Sequence, residues 1–304
     1  MITEIVPVSI SGSLGAVVQN MITFAFVIAY GLGFYVPYEY TKDGKFNEEI
    51  YTSNIWRYIF FIPGIVAVMQ IFFVVTIFRD DTPKYYELNN NPEMARRVYS
   101  KIYIEQAPNE QFLSPSINAE ESPQTDRISF FQIFGKRYRY ALFLGIIIFT
   151  LAKLTGINAF LFYSIEIFTQ NYTGYAAERE ARIGTMLVGI TMFGTSFLSS
   201  ILLARIGRKA IMIIGHIGML ATLIALAMCA MYEINLWSKI FTVAFVFFYG
   251  TTVGTIIWVY NAEILEKTSM SFATFWDWVL TILFTLFTNQ GFELLKPEGM
   301  YFLF

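Results

Sequence analysis

The sequence predicts an all-α protein of membrane-spanning helices, and three observations carry that prediction. Charged residues make up 14% of the chain and hydrophobic ones 56%, whereas a water-soluble domain carries about 25% charged residues. The 31 phenylalanines among 304 residues exceed what a water-exposed surface could hide. Apolar runs of about 20 residues, the length that crosses ~30 Å of hydrocarbon as a helix, recur along the chain.

In chain order the runs fall at about 14–37, 56–78, 140–168, 183–203, 211–231 and 240–260. A seventh, about 270–288, is interrupted by Asp277, and the closing GMYFLF reads as the opening of an eighth. Lysine and arginine then set the orientation. Thirteen basic residues lie on one face: nine in the loop 79–139, then Arg205, Arg208, Lys209 and Lys267. Seven lie on the other: Lys42, Lys45, Arg57, Arg179, Arg182, Lys239 and Lys296. The first face is therefore expected in the cytoplasm. The sequon Asn171–Thr173 falls on the opposite side, where glycosylation would occur.

The loop 79–139 divides the spans into an N-terminal group, 1–78, and a C-terminal group, 140–304. Within it, Asn91–Tyr103 reads as a short amphipathic helix, with Met94, Val98 and Ile102 at four-residue spacing. The Pro-, Ser- and acid-rich stretch after it reads as a disordered linker. Two spans before the loop and at least five after it suggest an N-terminal bundle with spans missing.

Several function classes are excluded or disfavoured. One cysteine, Cys229, permits no intramolecular disulfide, and one histidine, His216, leaves no histidine-rich metal site. HExxH, GxSxG and Walker patterns are absent, so no enzyme is expected, nor a cofactor, a metal or a nucleic-acid partner. The N-terminal MITEIVPVSI has no basic stretch leading into an apolar core and is not read as a signal peptide.

Five segments, in order and on the expected sides, carry a family resemblance: EIVPVSISGSLGAVVQ (Glu4–Gln19), DDTPKYY (Asp80–Tyr86), TGINAFLFYS (Thr155–Ser164), RIGRK (Arg205–Lys209) and GTIIWVYNAEI (Gly254–Ile264). Together they resemble the sugar porters of the major facilitator superfamily, from the end of that family's fourth helix to early in its twelfth. The resemblance implies a partial major facilitator bundle of about seven spans plus the start of an eighth, built from parallel repeats. It would lie as a multi-pass protein in the plasma membrane or an internal membrane. The implied activity is transport of a hexose by alternating access, either facilitated or as proton symport. The alternatives are a same-fold transporter of another small solute, an anionic one included, and a transport-inactive sensor or truncated fragment.

The resemblance also names site residues. Gln19, Asn158 and Trp258 stand where the family contacts sugar, and carboxamides with an aromatic platform suit a ligand of hydroxyls and C–H faces. Tyr163 stands at an outer aromatic gate. Glu4, Arg205, Arg208 and Glu263 stand at cytoplasmic ion pairs that gate the cavity. Other readings exist for two of the contacts: Gln19 also suits a hydrogen bond to a neighbouring helix, and Trp258 an interface anchor. His216 reads as a packed helix residue. Departures are numerous. Ala152 and Lys153 replace a glutamine pair, Met192 and Thr281 replace asparagines, and Gly250 replaces a glutamate. Thr255 and Ile257 replace the prolines of a kink, and Ser11 replaces an arginine.

Lys153 is the departure with physical weight, because a lysine at mid-bilayer costs ~2.5–3.5 kcal/mol or more and is expected to face a cavity or a partner. At ~1.5 Å per residue, Lys153 lies about 20 Å and Asp277 about 11 Å from the cytoplasmic ends of their spans, and a lysine side chain spans much of that gap. An ion pair is expected, either in the substrate site with Thr281 nearby or purely structural. In a straight helix Lys153 and Asn158 point about 140° apart, so one cavity receives both only if the helix bends near Gly156.

Overall fold

In a computed structural model, residues 8–102, 130–162, 168–169, 172–232 and 234–304 are described. Eleven helices of six residues or more occur among them: α1 Val8–Gly33, α2 Ile55–Thr76, α3 Pro83–Leu88, α4 Pro92–Ile102, α5 Arg139–Leu154, α6 Ile157–Phe162, α7 Gly174–Arg205, α8 Arg208–Met231, α9 Asn235–Thr251, α10 Val253–Ile264 and α11 Lys267–Leu303. The only β structure among the described residues is an isolated antiparallel bridge, Tyr40 to Phe46. Five helical segments are long and apolar enough to span a membrane: Glu49–Thr76, Gly174–Leu203, Arg208–Met231, Leu236–Ile264 and Lys267–Thr288.

Contacts divide the chain into Met1–Gly15 with Trp56–Ser129, and Ala16–Ile55 with Phe130–Phe304. Within the second unit α1 packs on α7: the hydroxyls of Thr23 and Ser196 meet at 3.1 Å, and the rings of Phe24 and Phe193 lie 5.3 Å apart.

In the first unit, no side chain of α2 is buried, as suits a helix whose solvent is lipid. Helices α3 and α4 pack together, and Thr82 caps α3 by accepting from the Tyr85 N–H, with Pro83 at the first helical position. The expected amphipathic helix forms as α4, Pro92–Ile102, but its buried face is Ala95 and Val98, while Ile102 is exposed. Lys101 pairs with Asp80, and this contact holds the Asp80 carboxyl below the usual carboxylate range. The linker reading falls outside the described residues.

In the second unit, the core gathers Phe149, Phe160, Val188, Leu226, Phe245 and Val253 from α5 to α10. Hydrocarbon offers a backbone no hydrogen bonds, and seven threonine hydroxyls inside the spans bond back along their own helices. Thr150, Thr222, Thr242, Thr251, Thr252, Thr274 and Thr285 each donate to the carbonyl four residues back. Two spans read as continuous are broken. The 140–168 run stops at Leu154 and restarts at Ile157, and the 240–260 run breaks at Thr252, whose φ of −121° and ψ of −83° separate α9 from α10. Conversely, the residues read as opening an eighth span continue α11 to Leu303.

The α1–α2 connection is strapped to the start of α7. The Arg182 guanidinium donates to the carbonyls of Val36 at 2.6 Å and Pro37 at 3.1 Å, and lies 3.8 Å over the Tyr38 ring. The Glu178 carboxylate, one turn earlier, accepts from the backbone N–H groups of Glu39 and Tyr40. One planar fork therefore answers carbonyls left open beyond the end of α1. Removing it as Arg182→Ala should cost ~2 kcal/mol, the scale of hydrogen bonds to a charged group. Tryptic cleavage at Lys42 and Lys45 should then accelerate about thirtyfold in limited proteolysis, and Arg182→Lys should restore little. Unchanged cleavage would show that the strap is not what holds this loop.

Candidate functional site

The site is built around the interruption between α5 and α6. Helix α5 ends in Lys153 and Leu154, Thr155 caps it, and Gly156 adopts φ +77°, a left-handed conformation open to glycine and strained for most other residues. A Cβ on Gly156 would lie 2.4 Å from the Phe304 ring, so close packing also demands glycine here. This break replaces the straight helix in which Lys153 and Asn158 point apart.

Lys153 lies at the C-terminal end of α5, where the helix dipole favours a cation. Its Nζ is 3.2 Å from Oδ2 of Asp277 on α11, with 15% and 4% of the two side chains exposed. A neutral bond runs parallel to the ion pair: Trp276 Nε1 donates to Thr150 Oγ1 at 3.1 Å. Both contacts tie α5 to α11. One turn beyond Asp277, Thr281 is half-buried and donates to the Asp277 backbone carbonyl.

The other expected contacts are distributed around these helices. Asn158, on α6, is buried, and its Nδ2 has no hydrogen-bond partner, a costly state for a buried amide and one a hydroxyl-bearing ligand would relieve. Trp258, on α10, is half-buried edge-on to Phe149, with ring centres 5.0 Å apart. Gln19 is half-buried on α1, one turn before Thr23, which meets Ser196 of α7. Tyr163 and Glu4 lie outside the described residues, as does Asn171 of the sequon.

On the basic face, Arg208 at the start of α8 pairs with Glu263 near the end of α10, both partly exposed. Arg205 is exposed at the end of α7, and His216 is an exposed helix residue with Nδ1 2.7 Å from the Met212 carbonyl. No group of three or more His, Cys, Asp or Glu suited to a metal occurs among the described residues.

Two features were missed by sequence reasoning. Asn261 on α10 is fully buried with neither amide atom hydrogen-bonded; a lone asparagine beside the aromatic signature carries no signal of that. Lys239 on α9 reaches Glu180 at 2.6 Å, tying α9 to α7, and its partner is equally invisible without the fold. The break at Thr252 shows that this region interrupts its helix without the prolines whose absence the sequence reading noted.

The family described as "Sugar (and other) transporter" matches residues 1–304. The chain belongs to that family. Among curated relatives, the facilitated trehalose transporter of Bombyx mori is 26% identical over 78% of this chain and 49% of its own length. Hexose transporter 1 of Plasmodium knowlesi is 23% identical over 100% and 64%, and the galactose-proton symporter of Escherichia coli K12 is 26% identical over 86% and 53%. The chain thus spans about half to two thirds of the relatives it matches. A structure of the xylose transporter XylE from E. coli superposes with a TM-score of 0.77 at 18% identity, covering 99% of this chain and 62% of that one. The fold of this family member is accordingly the all-α helical bundle of that structure, and the chain is a multi-pass integral membrane protein.

The buried ion pair generates a test. Lys153→Met alone leaves the Asp277 carboxylate without its partner and should cost ~3–5 kcal/mol, whereas adding Asp277→Leu should recover most of that loss. Thermal unfolding in detergent reads both. Equal destabilisation by the single and double variants would show that the charges are not coupled.

Proposed function

We propose that this chain forms part of a secondary transporter that moves a sugar of hexose size by alternating access, with the solute held between α5–α6, α10, α11 and α1. The observation that carries the proposal is the α5–α6 break, which sets a buried carboxamide with an unpartnered amide beside a helix end bearing a paired lysine, inside a membrane-spanning bundle. Asn158 and Gln19 supply donor–acceptor amides, Trp258 an aromatic face, and Tyr163 an outer gate. Arg208–Glu263, with Glu4 and Arg205, would part and re-form as the cytoplasmic side opens. Family membership and the relatives named as sugar transporters support the substrate class. The relatives include a facilitated transporter and a proton symporter, and both modes suit the proposal.

A specific observation favours a second reading. The ammonium of Lys153 in a low-dielectric site would attract a solute carrying a negative charge once Asp277 moved or took up a proton. The two readings separate in one experiment, with the protein expressed from its native gene in cells lacking their own hexose uptake. In the sugar reading, labelled hexose enters, and Lys153→Gln with Asp277→Asn, which removes both charges at nearly constant volume, keeps uptake within about threefold. Uptake of a labelled sugar acid, abolished in that variant, would establish the anionic reading instead. Entry of neither solute would leave the sensor class in place of both.

A further inference from the structure

The basic face carries a groove that the transport reading does not use. It measures about 520 Å³ and is lined by Phe130, Lys267, Thr268, Ser271, Phe272 and Phe275. One wall is aromatic: a 3-10 turn, Phe130–Phe134, precedes α5 and presents Phe130 and Phe134 edge-on to Phe272 of α11, at 5.9 and 5.5 Å. The other wall is the first turns of α11, with one ammonium and two hydroxyls. The groove therefore has a polar end beside an oily one.

Its surroundings are equally two-sided. Toward the span, the groove runs into a stripe of exposed apolar side chains on one face of α11, Phe275, Trp278, Ile282 and Leu286, at spacings of three and four residues. In water such a stripe would be a large hydrophobic liability; against acyl chains it is ordinary. At the polar end, the 3-10 turn leads directly into Lys136, Arg137 and Arg139, all exposed. With Lys267, that makes four basic side chains against one acid, Glu266, within 130–139 and 266–275. Basic clusters at the cytoplasmic edge of a span attract the anionic lipids of the inner leaflet.

We propose that this groove is a binding site for an anionic phospholipid. The Lys267 ammonium draws the headgroup phosphate to the polar end, Lys136, Arg137 and Arg139 add long-range attraction, and one acyl chain lies along Phe275 and Trp278. The phenyl rings of Phe130 and Phe272 cover the glycerol end. A lipid is favoured over a soluble phosphate because the apolar wall and stripe would then be covered as well, and because the polar end faces the charged side of the bilayer.

The test is native mass spectrometry of the purified protein titrated with phosphatidylserine or with phosphatidylcholine of the same acyl chains. The expected result is preferential retention of phosphatidylserine. Lys267→Gln should weaken phosphatidylserine binding about fivefold, the factor corresponding to ~1 kcal/mol per basic side chain, and leave phosphatidylcholine unchanged. Ser271→Phe, which fills the groove from an exposed position, should lower retention of both. Glycerophosphoserine, the same headgroup without chains, should not compete. Equal binding of the two lipids, or no effect of either substitution, would overturn the proposal; competition by glycerophosphoserine would replace the lipid with a soluble phosphate. If Lys267→Gln fails to fold, the comparison of lipids on the natural protein still decides.

Discussion

A charge inside hydrocarbon must bring its partner with it, and the α5–α11 association in this chain depends on that constraint. Lys153 and Asp277 meet at 3.2 Å with almost no solvent access. Neither could remain ionised there alone without a cost of several kcal/mol. The pair fixes which faces of α5 and α11 adjoin, and the Trp276–Thr150 hydrogen bond repeats the choice in neutral form. The same rule at lower stakes explains the hydroxyls that bond back along their own helices. It also singles out Asn158 and Asn261, buried amides that the surrounding protein does not satisfy.

Helix interruption is the second element of the account. Transport-type bundles tolerate irregular backbone where it borders a cavity, and elsewhere in lipid it is excluded. Both interruptions in the second unit lie beside candidate site residues: Gly156 between Lys153 and Asn158, and Thr252 six residues before Trp258. Gly156 is held by its left-handed φ and by the Phe304 ring against it. Around that corner Tyr301 stacks on Phe160, which packs on Phe245, so the geometry of the break is anchored in the aromatic core.

Much of this was legible in the sequence because hydrocarbon imposes a strong, one-dimensional signal. Span order, the basic face and the existence of a buried Lys–Asp contact all follow from runs of apolar residues and the rare charges within them. What was not legible depends on tertiary partners. The Arg182 fork binds carbonyls nearly 150 residues away in sequence, and no local pattern announces an acceptor made of backbone. Helix α4 was assigned its face from Met94, Val98 and Ile102, but packing against α3 selects Ala95 instead of Met94 or Ile102. The closing GMYFLF, read as opening an eighth span, instead continues α11, because the helix runs on through Lys296–Gly299. The α1–α7 contact is likewise one that hydropathy cannot reveal.

The central claim is that the α5–α11 junction borders the path of the solute, and one measurement addresses it without disturbing the ion pair. Thr281 sits one turn beyond Asp277 and is close in size to cysteine. Thr281→Cys in a Cys229→Ser background, expressed in whole cells, would be titrated with a membrane-impermeant thiol reagent in the presence and absence of hexose. The account predicts that the introduced thiol is labelled and that hexose slows the labelling severalfold. Labelling indifferent to hexose and to sugar acids alike, or no labelling from either side of the membrane, would contradict it.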